Sequence, residues 1–134
     1  MPEYAGTRMY RWKDYKIKPR QKRNADRLGV IIKPSKNKMK KLDVFAKNKE
    51  GKATELLAQI GGRYYDGVWY GDYATFLDKP KDRYGNEVDA DERRLLYLKR
   101  HAHESKWTKG TKKNQKRGPE FRSPSYWADE ILWQ

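Results

Sequence analysis

The sequence predicts an α+β fold: a small antiparallel sheet packed by one main helix, with a short C-terminal helix and an extended basic N-terminal arm. Three observations carry this. Strand-like alternation and turn residues are confined to the stretch between Val30 and Tyr73. One segment, Asp89 to Glu104, combines a cap with a helical period. Charge is unevenly placed: residues 1–50 hold 16 Lys and Arg against 5 Asp and Glu, residues 51–98 hold 7 against 9, and residues 99–134 hold 9 against 4. The local balances of +11, −2 and +5 describe a nearly neutral middle carrying a basic arm and a basic loop. Charge on segments that cannot fold alone usually belongs to a partner.

The 134 residues leave room for one domain, and with 36% hydrophobic against 37% charged residues the core must come from the region after Leu42. Five Trp, 10 Tyr and 3 Phe are many for so polar a chain. Aromatic rings among cations suit nucleic-acid stacking and protein interfaces alike. The absence of Cys excludes disulfides, thiolate zinc sites and cysteine nucleophiles. No apolar run approaches the roughly 18 residues of a membrane span, and the opening Met1-Pro2-Glu3-Tyr4 has no apolar targeting stretch, so a soluble, non-secreted protein is expected. Lys18-Pro19-Arg20-Gln21-Lys22-Arg23 has the composition of a nuclear address, a pattern that chance also produces in so basic a chain.

Taken in order, residues 1–29 read as the extended arm and residues 30–134 as the domain. In the arm, Tyr10 and Trp12 alternate at period two and Tyr15 and Ile17 do so one residue out of phase, as in an extended segment with an irregularity near Asp14. Such a segment adds to a neighbour's sheet edge through main-chain hydrogen bonds, and any fixed shape it has is borrowed from that neighbour. Gly29-Val30-Ile31-Ile32 is a short β-branched run closed by Lys33-Pro34-Ser35. Lys41 to Ala46 and Ala53 to Ile60, joined by a Lys47-Asn48-Lys49-Glu50-Gly51 turn, form the clearest hairpin. The aromatic segment Arg63 to Tyr73 reads as a third strand with tight turns, and Asp82-Arg83-Tyr84-Gly85-Asn86 as an exposed turn inside an acidic insertion, residues 78–91.

Asp89 with Glu92 caps the main helix, and Asp91 adds negative charge to its first turn. At about 100° per residue, Leu95, Leu98 and Ala102 share a sector that is expected to face the core. Arg93, Tyr97 and Arg100 then form an outward stripe. The basic loop 109–117 follows, and Ser123-Pro124 opens a final helix with Trp127 and Ile131 four apart.

Enzyme chemistry finds little footing. His101 and His103 point apart on a helix and cannot share a metal ion. An EF-hand starting at Asp82 fails because Tyr84 stands where a second oxygen ligand is needed. Asp89, Asp91 and Glu92 are explained by capping rather than by a nuclease site. There is no phosphate-binding loop, serine elbow or dinucleotide fingerprint. No catalytic residue, metal or cofactor is expected, and the protein reads as non-enzymatic.

Gly71-Asp72-Tyr73, Glu92-Arg93-Arg94, Tyr97, Arg100-His101, Trp107, Gly118, Phe121, Trp127 and the ending Leu132-Trp133 resemble a family of small basic proteins, without assigned activity, encoded by large DNA viruses of algae and protists. The resemblance covers roughly residues 40–134. It departs at the insertion 78–91 and at Phe76-Leu77, where a histidine is expected. It implies a source, and with the arm it leads to the expectation of a minor capsid protein: a structural component of a virion, found before assembly in host cytoplasm or nucleus. Tyr10, Trp12, Tyr15, Ile17, Arg93, Tyr97, Arg100 and Trp133 would bind neighbouring protein subunits. The alternative is a sequence-independent nucleic-acid-binding protein, for genome packaging or a ribosome-like assembly, in which Arg20, Lys22, Arg23, Lys112, Lys113, Lys116 and Arg117 neutralise phosphates.

Overall fold

The computed structural model describes residues 12–108 and 118–134. The order is α1 (Pro19–Leu28), β1 (Ile31–Pro34), β2 (Leu42–Lys47), β3 (Ala53–Ile60), α2 (Tyr73–Asp78), α3 (Ala90–Arg100), a 3-10 turn (Pro119–Phe121) and α4 (Pro124–Trp127), which continues as a π-helical turn (Ala128–Leu132). This is the α+β class expected, with the sheet antiparallel in the order β1-β2-β3. Period-two alternation sets its two faces. Ile32 pairs with Val44, Val44 with Ala58 and Leu42 with Ile60, and all five side chains are buried on one face. Asp43 and Gln59, paired between them, belong to the other. There the buried Asp43 carboxylate accepts hydrogen bonds from Ser35 Oγ, Gln59 Nε2 and the Lys36 amide.

The apolar face is covered by α1 and by the C-terminal helix. Ser123 accepts from the Tyr126 amide and Pro124 occupies the first turn, so α4 starts where the sequence places it. Trp127, Ile131, Leu132 and Trp133 then enter the core with Val30, Ile32, Leu42, Val44 and Ile60. The final carbonyls are held from two other helices. Arg20 Nε and Asn24 Nδ2 donate to the Gln134 oxygen at 2.7 and 3.1 Å, and Arg94 Nε donates to the Trp133 oxygen at 2.8 Å.

The extended arm is corrected from Trp12 onward. Residues 19–28 are helical, with Pro19 in the first turn, the Gln21 side chain accepting from the Lys18 amide at 3.0 Å, and Gly29 closing the helix at φ 73°. The buried side of α1 is Gln21 and Ala25, so no apolar stripe announces it. The segment before it lies on its own domain. Lys38 Nζ holds Asp14 at 2.8 Å and the Trp12 oxygen at 3.3 Å, Lys18 pairs with Asp78 at 2.8 Å, and Ile17 packs against the core. Arg63 donates to the Lys13 oxygen at 2.6 Å while its guanidinium lies 4.8 Å from the Trp12 ring and 3.4 Å from Trp69. Gly67, at φ 90°, clears the space for Trp12, since a Cβ there would fall 2.9 Å from the indole.

Two further expectations change. Arg63 to Tyr73 supplies a single bridge, Arg63 to Trp69, rather than a third strand. In α3 the expected inward face is only half met: Leu95 is 63% exposed and Ala102 exposed, Leu98 is half-buried and no residue of the helix is fully buried, while of the expected outward stripe Arg93 and Arg100 are exposed and Tyr97 turns inward. Contact is made by Ala90, Arg94, Tyr97 and His101, spaced by four, three and four, with Tyr97 stacked on Trp133 at 4.4 Å and on His101 at 4.2 Å. A flat Trp133 ring and unpaired carbonyls at the chain end favour a tyrosine and an arginine over leucines on that face.

At the centre sits a buried ion pair. Lys41 and Asp72, each 1% exposed, meet at 2.7 Å. The same Asp72 Oδ2 accepts from Tyr15 OH at 3.1 Å and Gln21 Nε2 at 3.0 Å, while Oδ1 accepts from the Thr75 amide at 3.0 Å and its hydroxyl at 2.7 Å, capping α2. Gly61, at φ 82°, gives the Lys41 stem room to pass, since a Cβ there would fall 2.7 Å from it. Burial alone would push the Asp72 carboxyl up, but Lys41 and the Thr75 hydrogen bonds hold it below the usual carboxylate range. Burial and the Asp72 charge push the Tyr15 phenol up, so it remains a donor.

Asp72→Asn keeps the cap but leaves a buried ammonium unpaired, and should cost about 3–5 kcal/mol in urea unfolding. Adding Lys41→Met should recover part of that loss, because no buried charge remains. The Asp72 contribution should be complete above about pH 4 and fade as pH falls through its lowered value, a dependence that Asp72→Asn removes. Tyr97→Ala should cost roughly 2 kcal/mol, less than a fully buried aromatic. It should also raise amide hydrogen exchange in α3 more than in the sheet.

Candidate functional site

Between β3 and α3 the chain makes two tight turns, one in the aromatic segment and one at residues 82–86, both where the sequence places turns. In the first, the Tyr64 amide donates to the Val68 oxygen at 2.7 Å and Asp66 accepts from the Val68 amide at 3.2 Å. In the second, the Asp82 amide donates to the Asn86 oxygen at 2.9 Å, and Asp82 Oδ1 accepts from the Tyr84 and Asn86 amides, both at 2.9 Å. Hydrogen bonds from the Asn86 amide, above all, hold the Asp82 carboxyl below its ordinary value. An ion pair between Asp66 and Arg83 latches the two turns together. The Arg83 guanidinium lies 3.9 Å from the Tyr64 ring centroid and 5.6 Å from that of Tyr84, and Tyr64 meets Tyr70 edge-on at 4.2 Å. The result is a ladder of Tyr84, Arg83, Tyr64 and Tyr70 in which Tyr84 is 78% exposed and Tyr70 46%.

The ladder lines a cleft of about 930 Å³, whose other residues come from the segment before β2, the end of β3, α2 and the loop after it, α3 and the C-terminal helix. Phe76 and Trp133 provide its apolar part. Its cations include Lys40, Lys79, Lys81, Arg93 and Arg100, none of which makes an ion pair among the described residues. Arg93 does reach the Phe76 ring, at 5.7 Å. The acids of the cleft are already engaged: Asp72 by Lys41, Asp82 by its turn amides, and Glu104 by His101 at 2.7 Å and Ser125 at 2.9 Å. Although burial opposes it, hydrogen bonds from Ser125 and His101 hold Glu104 below the usual range. Burial, then Asp129 and Glu104, push the Tyr97 phenol up to about 12, so it stays neutral. A positive field follows from the excess of cations, since seven Lys and Arg line the cleft against the three ionised carboxylates of Asp72, Asp82 and Glu104.

The same geometry limits other chemistry. The Ser125 hydroxyl donates to Glu104 rather than to His101, so it is not presented to a base as a nucleophile. Among the described residues, no group of three or more His, Asp or Glu is placed to hold a metal ion, and no helix is long and apolar enough to cross a membrane.

Of the residues the sequence put forward, Arg93 and Arg100 line the cleft, exposed. Trp12, Tyr15, Ile17, Tyr97 and Trp133 are occupied within their own domain, Tyr15 and Trp133 almost completely. Arg20 is engaged by the Gln134 oxygen and by the Tyr73 ring at 5.0 Å, and Lys22 by Asp26 at 3.1 Å, whereas Arg23 is exposed on α1. Tyr10, Lys112, Lys113, Lys116 and Arg117 lie outside the described residues. Lys40, Tyr70, Lys79, Lys81, Arg83 and Tyr84 were not anticipated. The run Lys79-Pro80-Lys81-Asp82-Arg83-Tyr84 does alternate cations with a turn and a ring, but the acids around it dominate a linear reading. In comparisons with known protein families, curated proteins and solved structures, nothing matches this chain.

Proposed function

We propose that the protein binds nucleic acid without sequence preference, taking the sugar–phosphate backbone into the cleft between the tyrosine ladder and α3. The observation that carries this reading is the set of five cations without ion-pair partners among the described residues, Lys40, Lys79, Lys81, Arg93 and Arg100, gathered beside exposed tyrosines. Unpaired Lys and Arg neutralise phosphates and release counterions, which supplies affinity without reading bases. The overall charge of +14 adds long-range attraction.

A second reading makes the chain a structural component of a large DNA-virus particle, docked on neighbouring subunits. It draws on the resemblance above and on Leu95 and Leu96, which stand on the outer face of α3 at 63% and 45% exposure. From Trp12 onward the arm no longer serves it, and α3 would be the contact instead. The two readings use different surfaces.

Titration of labelled single- and double-stranded DNA by fluorescence anisotropy should give affinities that fall steeply with salt, with a log–log slope on the order of −3 to −5 for about five phosphates. Replacing Lys79 and Lys81 by Ala should leave the circular dichroism unchanged, since both are exposed, and should flatten the slope by about 1.5 to 2. A slope near zero, or one that the double variant does not alter, rejects the cleft as the phosphate site.

A further inference from the structure

We infer that the cleft is selective for unpaired strands, with the Tyr84 end of the ladder serving as the platform on which bases stack. This rests on the nucleic-acid reading and adds what the ligand must look like. Cations alone do not distinguish a duplex from a single strand, because both present phosphates. Exposed ring faces do. In a duplex each base is covered above and below by its neighbours, so a tyrosine at the mouth of a cleft has nothing to stack on. In a single strand every base has a free face, and stacking on it is indifferent to sequence.

The ladder has the construction that this requires. Tyr84 is 78% exposed and follows Arg83, which is held by the Asp66 ion pair and by the Tyr64 ring at 3.9 Å and lies 5.6 Å from the Tyr84 ring. Gly85 at φ 82° and the Asp82 side chain, accepting from the Tyr84 amide at 2.9 Å, set the backbone on either side. Tyr70 is seated against Gly62, where a Cβ would fall 2.6 Å from the ring. Rings positioned in advance lose little freedom when a base arrives. The Arg83 guanidinium sits closer to Tyr64 than to Tyr84, and the 78% exposure of Tyr84 leaves ring surface for the ligand. Lys79 and Lys81 lie on the same loop, within reach of the phosphates that flank a stacked base. Neither ring makes an aromatic contact beyond the ladder among the described residues, so core packing does not account for Tyr84.

The test measures the full-length protein against four probes: an oligo(dT) strand, an abasic strand of equal length, a duplex of equal length, and thymidine monophosphate as competitor. Oligo(dT) should bind on the order of tenfold more tightly than the abasic strand. It should also bind more tightly than the duplex, and the mononucleotide should compete only weakly. Tyr84→Ala should close most of the gap between oligo(dT) and the abasic strand with the salt slope intact, and Tyr84→Trp should restore it. Equal affinity for all three polymers, or a gap that Tyr84→Ala leaves untouched, overturns the inference while the phosphate-binding reading stands. Competition by the mononucleotide equal to that of the strand also overturns it. Absence of any salt-dependent binding removes both.

Discussion

Asp72 is the point at which the fold is tied. Five hydrogen-bond donors converge on its two oxygens, and they arrive from the segment before α1, from α1 itself, from the residue before β2 and from the first turn of α2. A buried ion pair adds little net stability compared with a well-packed apolar alternative, because two charges must first be taken out of water. What it fixes is position. Lys41 can meet Asp72 only if the chain turns at Gly61 and re-enters at Gly71, and Tyr15 can join them only if the N-terminal segment lies back across the domain. One carboxylate therefore settles the path of four separated pieces of sequence.

That constraint sets the geometry of the cleft without contributing a ligand group to it. Asp72 ends the aromatic ribbon and starts α2, so the ribbon that bears Tyr64 and Tyr70 and the loop that bears Lys79 to Tyr84 leave from opposite ends of one short, capped helix. Asp66 and Arg83 then close the gap between them. Most carboxylates near this region are spent inside the protein: Asp66 on the latch, Asp82 on its own turn, Asp89 on the α3 cap, Asp91 on the Tyr73 hydroxyl. A segment that is acidic by count consequently presents cations and rings to the cleft.

This also explains which parts of the fold were legible in the sequence. The hairpin, its turn, the start of α3 at Asp89 and the start of α4 at Ser123 depend on local chemistry, namely alternation, turn residues and caps, and they lie close to where that chemistry puts them. Helix α1 was hidden because its buried side is a glutamine and an alanine, selected by the Asp72 network and not by hydrophobicity. Only Pro19 in its first turn and Gly29 after Leu28 marked its ends. The orientation of α3 was hidden for a related reason. A stripe of Ala90, Arg94, Tyr97 and His101 has perfect helical spacing but mixed polarity, so a search for apolar periodicity settles on the leucines instead. The cleft itself was hidden because its cations come from separate elements, Lys40 before β2, Lys79 and Lys81 after α2, and Arg93 and Arg100 on α3, which only the fold brings together.

The pattern running from Asp72 through Arg93, Arg94 and Tyr97 to Trp127 and Leu132-Trp133 sharpens the division between structure and site. Asp72 ties the core, Arg94 holds the Trp133 carbonyl, Tyr97 stacks on Trp133, and Trp127 and Leu132 are buried. These are fasteners, and a pattern composed of fasteners describes a scaffold without saying what the scaffold presents. Arg93 and Arg100 differ, since they belong to the same pattern yet are exposed at the cleft without an ion-pair partner among the described residues. Function is therefore better sought in groups that the fold positions but does not consume. In this chain those groups are the cleft cations outside ion pairs among the described residues and the exposed ring of Tyr84, and what they have in common is the chemistry of a charged backbone bearing planar rings.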